Sequence, residues 1–425
     1  MDSIVLPYRS GEQLVLKAPK ALGVSVQDPK EGGQRARKHL FEEALGTGFA
    51  DFLRSAGRVL IIINDSTRPT PTKEMMSALM PYFEEAGIDD ENLTILIATG
   101  AHRPALESEF EQLLGRTLAR RLNNRIVSHV ATDRSRLTYL GTTSRGTPVA
   151  LNSLLFEVDR VVVTGSVEPH YFAGYTGGRK AIMPGIAGYE TIEANHRLAL
   201  GSAAHTLALE GNPVHEDFLE VVEFVKQPIF SLMSVLDKDH RPIHLAGGTL
   251  TESFLECIPV AEETFGTPIA SPMDIVITVA NHPMDINLYQ AQKALDNGAL
   301  AVRDGGFLLL VASCREGVGG AAFADLLASS ESPDQALAAI HEHYKLGYHK
   351  AAKIALEAKR INLYAYTDLD DERVSSLFLK PVKDLQRWFD RVVDEFRQAH
   401  RRDPRVLVLR DGGMCVPILS SSGKH

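Results

Sequence analysis

The chain has 425 residues, of which 44% are hydrophobic and 23% are charged, and its formal net charge is -9. This length exceeds what one hydrophobic core usually organises, so we expect two domains, each with a core of its own. The acidic balance lacks a basic block and argues against nucleic acid and anionic membrane surfaces as partners, because both require clustered lysine and arginine.

Cysteine usage and the N-terminal residues indicate a cytoplasmic protein. Cys257, Cys314 and Cys415 are widely spaced and include no CxxC pair, so neither a disulfide framework nor a zinc knuckle is expected. The N-terminus lacks the apolar core of a signal peptide, and no later run approaches the roughly 20 apolar residues of a membrane helix. We therefore expect a protein of the reducing cytoplasm.

Short β-branched and aliphatic runs recur along the chain and predict buried strands. They occupy residues 59–63, 93–97, 158–163, 229–235, 275–279, 307–311, 361–364 and 406–409. Stretches with helical spacing lie between them, at residues 73–86, 107–122, 288–302 and 383–400. This alternation predicts an α/β fold with mainly parallel sheets flanked by helices.

A segment with two prolines, TPIASP at residues 267–272, precedes the strand predicted at 275–279. Prolines between periodic segments are typical of linkers. We therefore place the domain boundary there, with one domain over residues 1–270 and a second α/β domain over residues 271–425.

A proline-stiffened polar segment, DSTRPTP at residues 65–71, follows the first predicted strand. Ligands of open α/β sheets gather where strands end, and the guanidinium of Arg68 suits a two-pronged bond to a carboxylate. The hydroxyls and a following helix N-terminus suit a phosphate. The same residue types are also common helix N-caps, so the residues alone leave both interpretations open.

His102 lies in the segment GAHRP, which follows the strand predicted at 93–97. Histidine exchanges protons near neutral pH, so a place at a strand end suits acid-base chemistry. Taken alone, one histidine among fifteen is more often a surface or packing residue. Position by itself does not decide its role.

The segment at residues 164–187 is dense in glycine and also holds two adjacent cations. Gly177 and Gly178 precede Arg179 and Lys180, which indicates a backbone that approaches a phosphate closely with cations to balance its charge. An alanine follows the lysine, so the spacing is not that of a Walker A loop, and it does not match GxGxxG.

A predicted helix, YETIEANH, ends at His196 soon after this segment. One lysine with two histidines, His170 and His196, suggests a metal or nucleophile site. Zinc sites normally pair their ligands one helical turn apart or as CxxC, and neither pattern is present. From the residues alone the region indicates an anion site with nearby imidazoles.

Five motifs, taken together and in this order, resemble the lactate racemase family that uses a nickel-pincer nucleotide. They are DSTRPTP, TGAHR, EPHYFAGYTGGRK, PGIAGYETIEANH and LYQAQK, and they span residues from about 60 to 300. The resemblance implies an isomerase, a racemase or epimerase that inverts the hydroxyl-bearing carbon of a 2-hydroxy acid, with lactate as the default. It implies that the reaction proceeds by reversible proton-coupled hydride transfer to the cofactor.

The implied cofactor is a nicotinic-acid-derived mononucleotide with two sulfur-containing arms that hold Ni(II). The resemblance implies a covalent bond from one arm to Lys180 and a nickel ligand at His196. Square-planar Ni(II) tolerates imidazole together with soft sulfur donors, so the protein need supply only one nitrogen. Separate proteins are expected to make the cofactor. Further cofactor contacts are expected from Asp65, Thr67, Gly177 and Gly178.

The resemblance assigns catalysis to His102 and His170 and substrate contacts to Arg68, Gln290 and Lys293. Two histidines are needed because the planar keto acid left by hydride loss has two faces, each requiring a group that handles the proton. Gln290 and Lys293 share one helix face and follow the predicted boundary, whereas the other motifs precede it. We therefore expect a catalytic, cofactor-binding N-terminal domain and an active site in the interdomain cleft.

Pocket size cannot be read from the sequence, so malate, another short-chain 2-hydroxy acid or a sugar acid such as gluconate remain alternative substrates. A noncatalytic cofactor-binding protein is less favoured, because it would not need His102 and His170. A nicotinamide-dependent dehydrogenase is disfavoured because no Rossmann fingerprint follows the early strands. The sequence does not indicate an oligomeric state.

Overall fold

The computed structural model describes residues 1–30 and 37–420. The chain divides into two compact units, Lys30–Thr264 and a second unit that combines Met1–Pro29 with Phe265–His425. Within the described ranges, none of the helices has both the length and the apolar character required to cross a bilayer.

The strands of the described residues are numbered in chain order, and every predicted strand run overlaps one of them. They are β1 (Asp2–Tyr8), β2 (Glu12–Ala18), β3 (Ser25–Gln27), β4 (Val59–Asn64), β5 (Leu93–Ala98), β6 (Ile126–Ser128), β7 (Leu137–Thr142), β8 (Pro148–Asn152), β9 (Arg160–Ser166), β10 (Pro169–His170), β11 (Gly174–Tyr175), β12 (Ile229–Leu236), β13 (Pro242–Gly248), β14 (Gly266–Ile269), β15 (Met273–Val279), β16 (Val302–Val311), β17 (Asn362–Tyr366), β18 (Lys380–Pro381), β19 (Val406–Leu409) and β20 (Val416–Leu419).

The helices of the described residues are α1 (Arg37–Leu53), α2 (Thr72–Glu85), α3 (Glu107–Leu114), α4 (Arg116–Arg121), α5 (Tyr189–Arg197), α6 (Pro213–Glu223), α7 (Leu250–Phe265), α8 (Leu288–Ala301), α9 (Ala321–Ala328), α10 (Pro333–Glu342), α11 (Tyr348–Arg360), α12 (Asp371–Ser375) and α13 (Leu385–His400). The helix predicted at 107–122 is divided into α3 and α4. Gly115 separates them with φ of 78°, a conformation that interrupts a right-handed helix and that glycine adopts readily.

The unit Lys30–Thr264 is built on a six-stranded sheet in the order β13-β12-β9-β4-β5-β6. Neighbouring strands are parallel except the edge pair of β12 and β13. The first five residues of β4, VLIII, are all buried, as expected for a strand covered on both faces. Phe49 of α1 and Phe83 of α2 pack in the same core as Ile61 of β4.

The second unit contains another six-stranded sheet, all parallel, in the order β18-β17-β16-β15-β19-β3. Its core joins Leu6 of β1 and Leu16 of β2 to Phe389 of α13. Because β3 pairs with β19, the first 29 residues belong with the C-terminal part of the chain. This arrangement differs from the expected continuous domain over residues 1–270, since strand pairing joins segments far apart in sequence.

The predicted fold class is confirmed. Both units combine a mainly parallel sheet with flanking helices, which is the outcome expected when strand and helix segments alternate. The small remaining sheets are antiparallel hairpins, including β7 with β8 and β10 with β11, and one parallel pair of β14 with β20.

Candidate functional site

Three polar loops of the unit Lys30–Thr264 follow the adjacent strands β9, β4 and β5. These strands run parallel, with Ile62 of β4 opposite Val163 of β9 and Asn64 of β4 opposite Ala98 of β5. Parallel strands end at the same edge of a sheet, which is where ligands of such sheets bind. The topology therefore brings the loops that carry Arg68, His102 and His170 to one edge.

Asp65 begins the loop after β4 and is 6% exposed. Its Oδ1 accepts hydrogen bonds from the backbone amide and hydroxyl of Thr67, at 3.2 and 2.6 Å, and its Oδ2 lies 2.7 Å from Nδ1 of His102. Burial tends to raise the pKa of Asp65, but the bonds from His102 and Thr67 outweigh it and hold the pKa below its usual range. The carboxylate is ionised and anchors the imidazole.

The alternative role of this loop as a helix cap is wrong. Helix α2 begins at Thr72, its N-cap position is Pro71, and no side chain caps it. Asp65 instead closes a local turn onto Thr67, as aspartate commonly does. Arg68 is half-buried in the same loop, and its charge helps to lower the pKa of Asp65.

His170 lies in a short hairpin formed by β10 and β11, in which it pairs with Gly174. The backbone amide of Ala173 donates a hydrogen bond to Nδ1 of His170 at 3.3 Å. An imidazole nitrogen that accepts a hydrogen bond carries no proton, so this contact favours the neutral tautomer with its proton on Nε2.

The buried ring of Phe172 links three predicted site residues. Its centroid lies 4.6 Å from the ring centroid of His170 and 5.0 Å from that of His196, both edge to face. The Nζ atom of Lys180 lies 5.5 Å from the same centroid. Sequence reasoning did not single out Phe172, because an aromatic residue inside a loop carries no periodic signal of its role.

Lys180 lies in a short 3-10 helix, residues Gly178–Ala181, and is half-buried. Burial, followed by the charges of Arg68 and Arg179, lowers its pKa well below the usual value, against a smaller opposing effect of Glu168. Each of these effects disfavours the protonated amine. These surroundings make the amine of Lys180 easier to deprotonate than an ordinary lysine, and the deprotonated form is the one that can act as a nucleophile.

The two glycines before Lys180 are explained by packing within the chain. Gly177 has φ of 77° and Gly178 has φ of 52°, and a Cβ atom would approach within 2.7 Å of Val167 and 2.9 Å of Phe254, respectively. Side chains rarely adopt this backbone and would not fit here. The amide of Gly178 is directed at the sulfur of Met233, at 3.1 Å.

Arg179 does not have the phosphate-facing role that its place beside Lys180 suggested. Its side chain is 1% exposed, and its guanidinium donates hydrogen bonds to loop carbonyls. The acceptors are the carbonyl oxygens of Ala173, Tyr175, Thr176 and Gly177. The guanidinium also lies over the ring of Phe254 at 4.2 Å. Arg179 therefore shapes the loop from inside the protein.

His196 lies near the end of α5 and is 9% exposed. Burial, with a further effect of the charge of Lys180, lowers its pKa to about 3. The imidazole is therefore uncharged at neutral pH and has a lone pair for a metal. Its Nδ1 lies 3.2 Å from Oδ1 of Asn195.

Gln290 and Lys293 lie in the second unit, in the first two turns of α8. Asn287 caps this helix and accepts a hydrogen bond from the backbone amide of Gln290 at 2.9 Å. Gln290 is exposed and Lys293 is half-buried, and their spacing places both on one helix face. Burial lowers the pKa of Lys350, and the charge of Lys293 adds a smaller effect in the same direction.

The side chains available as metal ligands suit a metal that is already held by an organic molecule. Among the described residues, no three histidine, cysteine, aspartate or glutamate side chains gather closely enough to hold a metal ion. A metal bound to His196 would therefore take most of its donors from another molecule. The amine of Lys180 has a lowered pKa and packs on the same Phe172 ring as His196, so it suits a covalent bond to such a molecule.

Comparisons with known proteins cover nearly the whole chain. Residues 11–208 match the family model described as lactate racemase N-terminal domain, and residues 269–416 match that described as lactate racemase C-terminal domain. The lactate racemase of Thermoanaerobacterium thermosaccharolyticum is 31% identical over 401 residues, which cover 91% of this chain and 93% of that protein. The lactate racemase of Lactiplantibacillus plantarum is 32% identical over 290 residues, which cover 68% and 67%.

Comparison with solved structures also finds a lactate racemase among the similar proteins. The lactate racemase apoprotein from Thermoanaerobacterium thermosaccharolyticum superposes with a TM-score of 0.87 at 27% identity, over 98% of this chain and 100% of that one. A crystal structure of a protein from Thermotoga maritima has a TM-score of 0.70 at 18% identity, over 92% and 100%. At 18% identity, the similarity to the Thermotoga maritima protein shows a shared fold only.

Proposed function

The chain belongs to the lactate racemase family, and we propose that it is an isomerase that inverts the hydroxyl-bearing carbon of lactate or a closely related 2-hydroxy acid. One observation carries the proposal: the ring of Phe172 contacts His170, Lys180 and His196 together. A proton-handling group, a nucleophilic amine and an uncharged imidazole thus surround one apolar side chain.

His102 would act as the base on one side of the substrate. Its Nδ1 donates to the carboxylate of Asp65, so the neutral imidazole has its lone pair on Nε2. That atom can accept the proton of the substrate hydroxyl, and the nearby carboxylate stabilises the resulting imidazolium.

His170 would act as the proton-transfer group on the opposite side of the substrate. Its Nδ1 accepts from Ala173, so the neutral ring presents an N–H at Nε2 that can donate to a substrate oxygen. The strands that precede the two histidines, β9 and β5, are separated by β4 alone. Strands β9 and β5 are therefore about 10 Å apart. This distance leaves room for a small acid between the loop of His102 and the loop of His170.

Arg68 would bind the substrate carboxylate, because a guanidinium grips a carboxylate with two parallel hydrogen bonds. Further substrate contacts are assigned to Gln290 and Lys293, which share one face of α8. A bound carboxylate fixes the orientation of the adjacent carbon, so that its hydroxyl reaches a histidine in either enantiomer.

The proposed cofactor is the nickel-pincer nucleotide, covalently bound to Lys180 with its nickel on His196. When bound, it supplies a centre that accepts a hydride from the substrate carbon and returns it to either face. Asp65, Thr67, Gly177 and Gly178 are the further contacts assigned to it, although in the structure the two carboxylate oxygens of Asp65 already bind Thr67 and His102.

The proposed setting is a reducing cytoplasm that also contains the proteins that make the cofactor. Cys257, Cys314 and Cys415 are buried free thiols, which is consistent with that compartment. Burial raises the pKa of each to about 12, so none is poised as a reactive thiolate.

The proposal is tested by mass spectrometry of protein produced together with the cofactor-making enzymes. We expect a sulfur-rich nucleotide adduct and one nickel on the peptide that contains Lys180, and no adduct in Lys180→Ala. The exposed Lys238 supplies an internal control, since its peptide should stay unmodified. An unmodified Lys180 in cofactor-competent cells would contradict the proposal.

The substrate is then identified with the loaded protein. Single enantiomers of lactate, malate, 2-hydroxybutyrate and gluconate are incubated separately, and the products are separated by chiral chromatography. We expect inversion to be fastest with a short monocarboxylic acid. Faster inversion of malate or gluconate would assign the chain to a different 2-hydroxy acid, and inversion of none would leave only cofactor binding.

A further inference from the structure

The buried carboxylate of Asp217 contacts Asn195, which in turn contacts His196. Asp217 on α6 is 0% exposed and accepts hydrogen bonds from the hydroxyls of Thr143 and Thr147, at 2.6 and 2.8 Å. Its Oδ2 also accepts from Nδ2 of Asn195 at 2.7 Å. Asp217 thereby joins α5 and α6 to the turn between β7 and β8.

This contact determines the orientation of the Asn195 amide. Besides Asp217, the Nδ2 atom faces the carbonyl oxygen of Val214 at 3.4 Å. A carboxylate and a carbonyl only accept hydrogen bonds, so the nitrogen of the amide must point toward them. Asn195 is 0% exposed, and its oxygen is consequently the atom that faces Nδ1 of His196.

The amide oxygen in turn determines the proton position on the imidazole. An amide oxygen accepts but cannot donate, so a hydrogen bond to it requires the proton of the neutral ring on Nδ1. The lone pair of His196 then lies on Nε2. Histidine ligands of metals commonly have their second nitrogen held by an oxygen in this way, which fixes the tautomer and the ring orientation.

We propose that Asn195, oriented by Asp217, is a positioning residue that fixes the tautomer of His196 with Nε2 as the nitrogen that binds the metal. The inference rests on the proposed function in so far as it takes His196 as the metal ligand. The contacts that carry it involve Asn195, Asp217, Val214 and His196 and do not depend on the cofactor.

The tautomer can be read directly from the protein without cofactor. Long-range proton–nitrogen NMR spectra of ¹⁵N-histidine-labelled protein at neutral pH distinguish protonated from unprotonated ring nitrogens. The signals of His196 are identified by their loss in His196→Gln. We expect a protonated Nδ1 and an unprotonated Nε2 in the wild-type protein, and the reverse would overturn the proposal.

Matched variants separate positioning from simple packing. In Asn195→Ala the acceptor is lost, so we expect a mixture of tautomers and an affinity for nickel, in the cofactor-loaded protein, lowered about 10- to 100-fold. Asn195→Gln keeps an amide that can donate to Asp217 and accept from His196, and it should preserve the wild-type tautomer. The exposed Asn124→Ala is the control and should change neither measurement.

An unchanged tautomer in folded Asn195→Ala, or a proton moved to Nε2 in Asn195→Gln, would overturn the proposal. If Asn195→Ala does not fold, the spectra of the wild-type protein and of Asn195→Gln still decide. A failure of the proposed function has a different signature: Lys180 would carry no adduct while His196 kept its proton on Nδ1.

Discussion

Nδ1 of His102 lies 2.7 Å from Oδ2 of Asp65, and the two residues belong to loops that follow the neighbouring strands β5 and β4. The side chain of Asp65 is 8% exposed, whereas that of His102 is 54% exposed. A buried carboxylate thus holds an imidazole whose other side is open to solvent. This arrangement orients the ring for proton transfer without enclosing it.

Replacing Asp65 with asparagine should lower kcat for racemisation on the order of 10²-fold or more, because the anion that orients His102 and stabilises its charged form is lost. KM should change little, since Asp65 does not contact the substrate in the proposed arrangement. Initial rates in both directions, followed by chiral chromatography, provide the measurement. Asp133→Asn, which alters a similar turn at Ser135, is the control. A KM effect without a kcat effect would contradict the orienting role.

Arg68→Lys should raise KM for the substrate about 10- to 100-fold. A lysine cannot form the two parallel hydrogen bonds that a guanidinium makes to a carboxylate. The loss of one charged hydrogen bond costs about 1.5–3 kcal/mol, which corresponds to this change in KM. Steady-state kinetics on the cofactor-loaded protein measure the change. Arg103→Lys is a matched control nearby, since Arg103 forms an exposed ion pair with Glu109. Equal effects of the two variants would argue against a specific carboxylate contact.

Phe172→Leu should reduce the fraction of Lys180 that carries cofactor, because the ring that packs against His170, Lys180 and His196 is removed. The loss of aromatic volume should also destabilise the protein by about 1–2 kcal/mol. Intact mass spectra report the adduct, and urea denaturation reports the stability. Phe389→Leu in α13 is a buried control that should lose stability but not cofactor. Full loading of the Phe172 variant would show that the ring is dispensable.

Asp274→Asn should destabilise the second unit by about 2 kcal/mol above pH 4. Asp274 is fully buried and forms ion pairs with Arg303 and Arg402. Both arginines retain contact with water, which weakens the pairs and limits the expected effect. Burial tends to raise the pKa of Asp274, but these bonds and the amide of Arg405 lower it to about 2. A folded pKa below the ordinary value of 3.8 stabilises the protein above that pH, and the effect disappears as pH falls toward 2.

Urea denaturation at a series of pH values tests this expectation. The difference in free energy of unfolding between wild-type protein and Asp274→Asn should be constant from about pH 5 to 7 and shrink below pH 4. Asp304→Asn, at an exposed ion pair with Arg360, should have little effect at any pH. A difference that grew on acidification would contradict the assigned direction.

Much of the fold could be predicted because apolar runs and helical spacing are local signals. The strand β4 is recognisable from VLIIIN alone, and the histidine and arginine loops follow directly from strand ends. The division at Gly115 and the pairing of β3 with β19 could not be predicted, since one depends on a backbone angle and the other on contact with a distant segment.

The sequence by itself determined the α/β class, the family and the order of the motifs, because periodicity and motif wording are carried by neighbouring residues. Only the tertiary structure decided which of these residues meet and in what state. Arg179 faces the interior because loop carbonyls accept hydrogen bonds from its two terminal nitrogens, and Asn195 is oriented because Asp217 reaches it from another helix. Desolvation and long-range hydrogen bonding set charge and tautomer, and neither is encoded by local spacing.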